Sequence, residues 1–397
     1  MLLPIYSRPA LIIDHGEGCY LWDTAGRRYL DFVTGIGVNA LGHNHPRITQ
    51  VIQRQAGRCL HTSNLYHHSY QEPLAEKLSA WSGGLSHVFF GNSGAEAFEA
   101  ALKAAKAYGA KISAGKYHLV AIEGSFHGRT LGALSVTGRH KYRQPFLPML
   151  PGVTFIPANN IDTLRAAVTD DTAAILLEVI QGENGVYPMD EAFLREVRRL
   201  ADFHDALWIA DETQCGLGRT GWRFAYQQFP GLLPDIALTA KPLAAGIPLS
   251  AAMFNEKAAA AIGMGQHGTT FGGGPLACRV ALEVLDIIEE LLPAIRETGA
   301  YLRSKLIQLQ GKLPLITEVR GAGMMVGLQL NVPANGAVQR AMEEGLLINC
   351  AHETVIRLLP PFISTKAEVD EAMDTLAAVC LAGQKNIFTS LLKSATS

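Results

Sequence analysis

Between residues 87 and 241 the chain alternates two kinds of pattern. Five short runs are apolar almost throughout: HVFFGN, YHLVAIE, AAILLEV, LWIADE and IALTAK. Among them lie stretches whose apolar residues recur every three to four positions, notably GAEAFEAALKAAKAYG and DEAFLREVRRLADFH. A short, nearly continuous apolar run is a strand with no wet face, and the three-to-four spacing is one stripe of a helix packed against it. Their alternation predicts an α/β unit, a mostly parallel sheet with helices on both faces. The flanks read differently. CYLWD and RRYLDFV, joined by TAGR with Gly26 in the turn, predict a hairpin. A helix is expected to start at Pro46 (PRITQVIQRQAGR) and another to span about residues 69–81. Beyond residue 276, PLACRVALEVLDIIEELL and AIRETGAYLRSKLIQLQ predict long helical stretches. MMVGLQL, LLINC and VIRLLP follow, then a closing helix in TKAEVDEAMDTLAAVCLAG, so this part reads as a smaller α+β domain. The tail FTSLLKSATS is expected to fray.

Composition narrows the class. With 397 residues, 48% of them hydrophobic, the chain can build two domains or one large α/β unit. Only 18% are charged, the net charge is −2, and no basic block stands out, which disfavours nucleic acid as a partner. The six cysteines, at 19, 59, 215, 278, 350 and 380, have no C-x-x-C spacing, so neither a zinc site nor a disulfide framework is expected. Pro, Arg and Asp interrupt the apolar start MLLPIYSRPALIIDHGEG, which makes a poor signal peptide. No uncharged segment approaches the ~20 apolar residues that span a bilayer. The expectation is a soluble cytoplasmic protein without a membrane or metal partner.

Several stretches carry candidate chemistry. Lys241 is the only charged residue between Asp235 and Glu256. It sits where an apolar strand gives way to a turn containing Pro242 and Gly246. A desolvated amine has a depressed pKa, as a lysine that forms a Schiff base requires. In LWIADETQ a strand ends in two acids, Asp211 and Glu212, and alternation sends them to opposite sides. One of them can then face a site and keep a pyridine nitrogen protonated. In FFGNSGAEAFEAALKAAK a strand runs into Asn-Ser-Gly at a helix start, where free N–H groups suit a phosphate; Ser93 adds a hydroxyl and Gly94 lets the backbone approach. The glycine-rich loop GQHGTTFGGGPLAC offers Thr269 and Thr270 as a further phosphate contact. In GSFHGRT, Phe126 can stack on a ring, Arg129 can clamp a carboxylate, and His127 is given a structural role. No G-x-G-x-x-G follows a strand, which disfavours a nicotinamide enzyme.

Taken in order, GNSGAEA, GSFHGRT, EVIQGENGV, ADETQCGLGRTG, PDIALTAK, HGTTFGGGPLA and VRGAGMMVGLQL resemble the class III, or omega, aminotransferases that use pyridoxal 5′-phosphate (PLP). The resemblance covers nearly the whole chain. YLWDTAGRRYLDFVTGIGVNALGHNHP and LHTSNLY point to the acetylornithine branch. The family implies fold type I: a large α/β domain over residues 51–280, a small α+β domain over 281–397, and an N-terminal segment, 1–50, belonging to the small domain. It also implies a homodimer with active sites at the interface. Lys241 would carry the cofactor, Asp211 would pair with its ring nitrogen, and Gln214 would bond its phenolic oxygen. Phe126 and Thr213 would flank the ring. Ser93, Gly94 and Ala95 would hold the phosphate together with Thr270 of the other subunit. Arg129 would take one substrate carboxylate and Arg357 the other, with Glu183 pairing with Arg357 and releasing it; Thr269 would line the substrate site.

The implied reaction moves the omega-amino group of an acylated ornithine such as N-acetylornithine to 2-oxoglutarate, giving a semialdehyde and glutamate in arginine biosynthesis. Where the ornithine branch has a tyrosine, TGIGVN (34–39) has small and aliphatic residues, which favours an acylated donor. Ornithine, 4-aminobutyrate, succinyl-diaminopimelate and a lysine-pathway amine are the alternatives that keep the chemistry. An aminomutase, or a cofactor-binding protein without catalysis, are alternatives that change it. The chain departs from the family at Thr213 (usually Val), Val179 (Pro), Asn184 (Gly), Pro242 (Gly or Ala) and Gly274 (Asn).

Overall fold

The computed structural model describes the backbone of residues 2–395 and the side chains of residues 2–382. Its centre is a seven-stranded sheet of β1 (His87–Gly91), β2 (His118–Ile122), β3 (Val153–Ile156), β4 (Thr172–Leu177), β5 (Leu207–Asp211), β6 (Ile236–Thr239) and β7 (Ser250–Phe254). The strands lie in the order β1-β7-β6-β5-β4-β2-β3. Strand β7 runs antiparallel to both neighbours, and the remaining pairs are parallel. Every residue of β4, β5, β6 and β7 is buried, as strands covered on both faces must be.

Two of these strands escape the apolar pattern. In β3, VTFI is a short edge strand that is only partly buried. In β7, SAAMF is rich in alanine, whose strand propensity is low. Small residues are needed there because α1 (Gly94–Ile112) packs on it through its own alanines, Ala97, Ala101, Ala104 and Ala105. The approach at the far end of α1 is closer still: a Cβ on Gly109 would lie 1.8 Å from the Lys116 carbonyl.

The two helical stretches after residue 274 are one helix, α2 (Pro275–Lys312), which runs through Pro293. Leu292 and Ile295 on either side of that proline are both in the main core, so packing outweighs the lost hydrogen bond. The helix serves two cores. Its first part packs with Leu74 and Trp81, whereas Leu302 and Leu306 join the cluster of Val326, Leu358 and Leu376. That second cluster also takes in Cys19, Leu30 and Phe32 from the N-terminal segment.

The N-terminal hairpin forms as Tyr20–Asp23 and Arg28–Asp31, with Ile13–Glu17 alongside and Leu346–Leu347 added in parallel as a fourth strand. The run LLINC is therefore divided. Leu346–Leu347 pairs with the N-terminal strands, and Asn349–Cys350 pairs with Val355–Leu358 in a separate antiparallel sheet completed by Ile316–Ala322 and Met325–Leu330. The backbone of α3 (Lys366–Ala395) stays helical through most of the tail expected to fray; residues 396 and 397 lie outside the described range. Among the described residues no helix is long and apolar enough to cross a membrane, no cluster of three His, Cys, Asp or Glu is placed to hold a metal, and the six cysteines are free.

Candidate active site

The carboxyl ends of β5 and β6 and the start of α1 open into one cavity of about 460 Å³. Ligands of open α/β sheets bind at such strand ends. Strand β6 stops at Thr239, and a single turn, Lys241–Ala244, begins with Pro242 among its first residues. Proline suits that position because its missing N–H would be unpaired there anyway. The turn leaves Lys241 half-buried with its side chain on the cavity. Burial lowers its pKa, and the negative charges of Asp211 and Glu183 only partly offset that.

Asp211 ends β5, is 4% exposed, and lines the same cavity. Its Oδ2 lies 2.8 Å from His127 Nδ1, and its Oδ1 accepts the Thr213 N–H at 3.1 Å. Burial alone would raise its pKa; these bonds outweigh it and hold the carboxylate below its ordinary value. Glu212 turns the other way. It accepts the N–H groups of Ala225 (2.8 Å) and Tyr226 (3.0 Å), and burial lifts its pKa to about 7. Alternation at a strand end thus separates an acid kept charged from one kept near neutral.

At the other end of the cavity, Ser93 caps α1, its Oγ accepting the Glu96 N–H at 3.2 Å. The first-turn N–H groups of Gly94 and Ala95 have no acceptor among the described residues, and both residues line the cavity. Gly94 is required by its neighbour, because a Cβ there would lie 2.8 Å from Thr213 Cγ2. Thr213 Oγ1 is buried without a hydrogen-bond partner, so the hydroxyl that replaces the family's valine adds an unsatisfied polar atom to the wall.

The two arginines differ. Arg357, 1% exposed, bonds Glu183 Oε1 at 2.6 Å, Gln214 Oε1 at 2.9 Å and the Gly182 carbonyl at 3.1 Å. Arg129 lines the cavity with its guanidinium 3.9 Å above the Tyr142 ring and 5.3 Å from that of Phe126, and it has no acidic partner among the described residues. Asn184 bonds Gln181 at 2.8 Å and fills the space beside Gly124, which accommodates the change from glycine. Gly274 caps α2 without a side-chain bond, a change from asparagine that costs a few tenths of a kcal/mol.

Thr269 and Thr270 lie away from this cavity. Thr269 Oγ1 accepts from Asn92 Nδ2 at 3.1 Å, and Thr270 is exposed. Two functional residues were not given these roles by the sequence. His127 positions Asp211 from 84 positions away, and no local pattern announces such a pair. Glu178 lines the cavity, accepts the Phe126 N–H at 3.0 Å and the Gly182 N–H at 3.2 Å, and is pushed by burial to about 7. A lone acid ending the apolar run AAILLEV carried the same signal that flagged Asp211.

The large, mostly parallel sheet covered by helices, with a smaller α+β part beside it, is the fold of the fold type I aminotransferases. The chain belongs to the class-III aminotransferases, whose family model (Aminotransferase class-III) matches residues 5–380. The acetylornithine aminotransferase of Aquifex aeolicus is 44% identical over 381 residues, covering 95% of this chain and 99% of that one. Among solved structures, the N-acetylornithine aminotransferase of Stenotrophomonas maltophilia K279a superposes with a TM-score of 0.84 at 33% identity, covering 96% of this chain and 98% of the other. The ornithine aminotransferase of Toxoplasma gondii, whose structure reveals partial occupancy of PLP at its active site, gives 0.91 at 31%, covering 97% and 93%.

Proposed function

We propose that this aminotransferase uses PLP to move the omega-amino group of N-acetylornithine to 2-oxoglutarate, working as a homodimer in arginine biosynthesis. The observation that carries the reading is the amine of Lys241 and the carboxylate of Asp211 on one cavity wall, with the Arg357–Glu183 pair beside them. The residues present fit the cofactor. There is an amine of lowered pKa, a carboxylate held charged, unclaimed N–H groups at Gly94 and Ala95 for a phosphate, and a hydroxyl at Thr213 lacking a partner. Bound there, PLP supplies an electrophilic carbonyl for amines and an electron sink for the substrate carbanion.

The chain's own groups do the rest. Lys241 would hold the cofactor through its amine and would move the proton at the substrate carbon; its lowered pKa gives it a neutral fraction able to accept that proton. Asp211, oriented by His127, keeps a negative charge where the ring nitrogen must stay protonated. Phe126 and Gln214 line the same cavity, where Phe126 would pack against the ring and Gln214 would bond its phenolic oxygen. Arg129, without an acidic partner among the described residues, takes a substrate carboxylate. Glu183 masks Arg357 while a donor with one carboxylate is bound and frees it for the second carboxylate of 2-oxoglutarate. The exposed Thr270 completes the phosphate site of the other subunit.

The acylated donor is favoured by the turn at residues 34–38. Val38 lines the cavity, and Gly37 approaches both Lys241 and Leu359. Gly35 and Ile36 supply no charged group there to hold a free ammonium. The test uses purified holoenzyme. N-acetylornithine alone is expected to bleach the yellow band of the lysine-bound cofactor, and 2-oxoglutarate to restore it. A panel of omega-amines with 2-oxoglutarate follows, and equal or better turnover of 4-aminobutyrate or ornithine would overturn the acylated substrate.

A further inference from the structure

Arg139 takes no part in the cavity of Lys241, yet it grips Glu183, whose partner Arg357 bonds the cavity residue Gln214. Its Nη2 donates to the main-chain carbonyl of Glu183, 44 positions later in the chain. Glu183 is thus held at both ends by arginines, its carboxylate by Arg357 and its backbone by Arg139. The loop around it is tied as well: Gln181 donates to the Glu123 carbonyl at 2.9 Å, and Arg320 donates to the Gly185 carbonyl at 2.8 Å. On the outer side of Glu183 lies a polar cavity of about 840 Å³, lined by Arg139, Tyr142, Asn184 and His352 as well as by Glu183 itself. It offers the Glu183 carboxylate room to swing away from Arg357. Gly185 and Val186, at φ 88° and 57°, place a left-handed bend two residues after Glu183.

We propose that Arg139 is a positioning residue which, by anchoring the Glu183 backbone, sets how readily Arg357 is released to bind a second carboxylate. This rests on the reading of Arg357 as the carboxylate-binding group. A switch answers to the free-energy difference between its two states, and a contact that favours one state biases it. With the backbone fixed, the Glu183 carboxylate has Arg357 within bonding reach. With the anchor removed, the loop samples positions from which that bond cannot form, and Arg357 is free more often.

The sign of the effect separates this from simple electrostatics. Deleting a nearby positive charge should weaken the binding of any anion, whereas deleting the anchor should strengthen the binding of dicarboxylates alone. The experiment measures, by calorimetry on the holoenzyme, the affinities of glutarate, an unreactive dicarboxylate, and of butyrate. In Arg139→Ala glutarate is expected to bind about fivefold tighter with butyrate unchanged. KM for the amino donor should rise while kcat is retained, and Arg139→Lys should restore wild-type values. If the alanine variant does not fold, Arg139→Met provides the same reading with the side-chain length kept. Unchanged or weakened glutarate binding in a folded variant overturns the proposal. Arg357→Ala is the separate control: if it leaves glutarate binding intact, the role of Arg357 itself is wrong, whatever Arg139 does.

Discussion

The two ends of the site are finished to different degrees by this chain. Around Lys241 and Asp211 the protein is closed: the aspartate has its donors, its neighbour Glu212 has its own, and both acids are buried. The loop carrying Thr269 and Thr270 is open. Thr270 and Phe271 are exposed, and the Thr269 hydroxyl is engaged by Asn92 and by the Gly272 N–H. The difference follows from what each end must do. The pKa shifts around Asp211 come from burial and from hydrogen bonds, both of which one folded chain supplies alone. Holding an exposed phosphate requires only donors at the right place, and on the proposed homodimer a second copy can supply them.

The comparison can be broken most severely at the closed end. Lys241→Ala is expected to lower turnover by about 10⁴-fold, measured with saturating donor and 2-oxoglutarate; near-normal turnover would move the chemistry elsewhere. The next effect is on stability. Glu178 and Glu212, whose folded pKa values rise to about 7 from 4.5, bind more protons folded than unfolded between those values. Their contribution is therefore fully present below about pH 4.5 and is lost as pH rises through about 7. Each should account for roughly 3 kcal/mol over that range, and Glu212→Gln should remove about half of the slope in denaturant titrations between pH 5 and pH 8. An unchanged slope would mean that Glu212 is not the titrating group.

At the open end, Thr270→Ala should loosen the cofactor about tenfold, the worth of a hydrogen bond to a charged group. Mixed dimers sharpen this. Pairing a Lys241→Ala subunit with a Thr270→Ala subunit should regenerate one tight site, since the intact lysine would meet the intact threonine of its neighbour. A loosened site in that mixture would assign Thr270 to its own subunit. The smallest effect is expected of Thr213→Val. Removing a buried hydroxyl with no partner should stabilise the cofactor-free protein by about 1 kcal/mol, read as a rise in melting temperature with turnover nearly unchanged.

Much of this architecture is written locally. Apolar runs became β1, β2, β4, β5 and β6, and the periodic stretch after Asn92 became α1, because burial on both faces or along one stripe leaves a periodic trace in the sequence. Lys241 and Asp211 stood out for the same reason: each is charged at the end of a run that is otherwise apolar. Strand β7 was missed because its alanines are chosen for the helix packed on them, and the division of LLINC between two sheets depended on partners more than 300 residues earlier in the chain.

By itself, then, the sequence determined five of the seven strands of the central sheet, the helix that packs on them, and which charges would be left at the strand ends. Only the tertiary structure decided that His127 would meet Asp211, that Arg357 would reach Glu183 and Gln214 across 174 and 143 positions, and that Arg139 would hold Glu183 from behind. The physical reason is one of range. Periodicity records how each residue meets its own layer, whereas a pairing between distant charges exists only once the layers have closed and their desolvated groups must find each other.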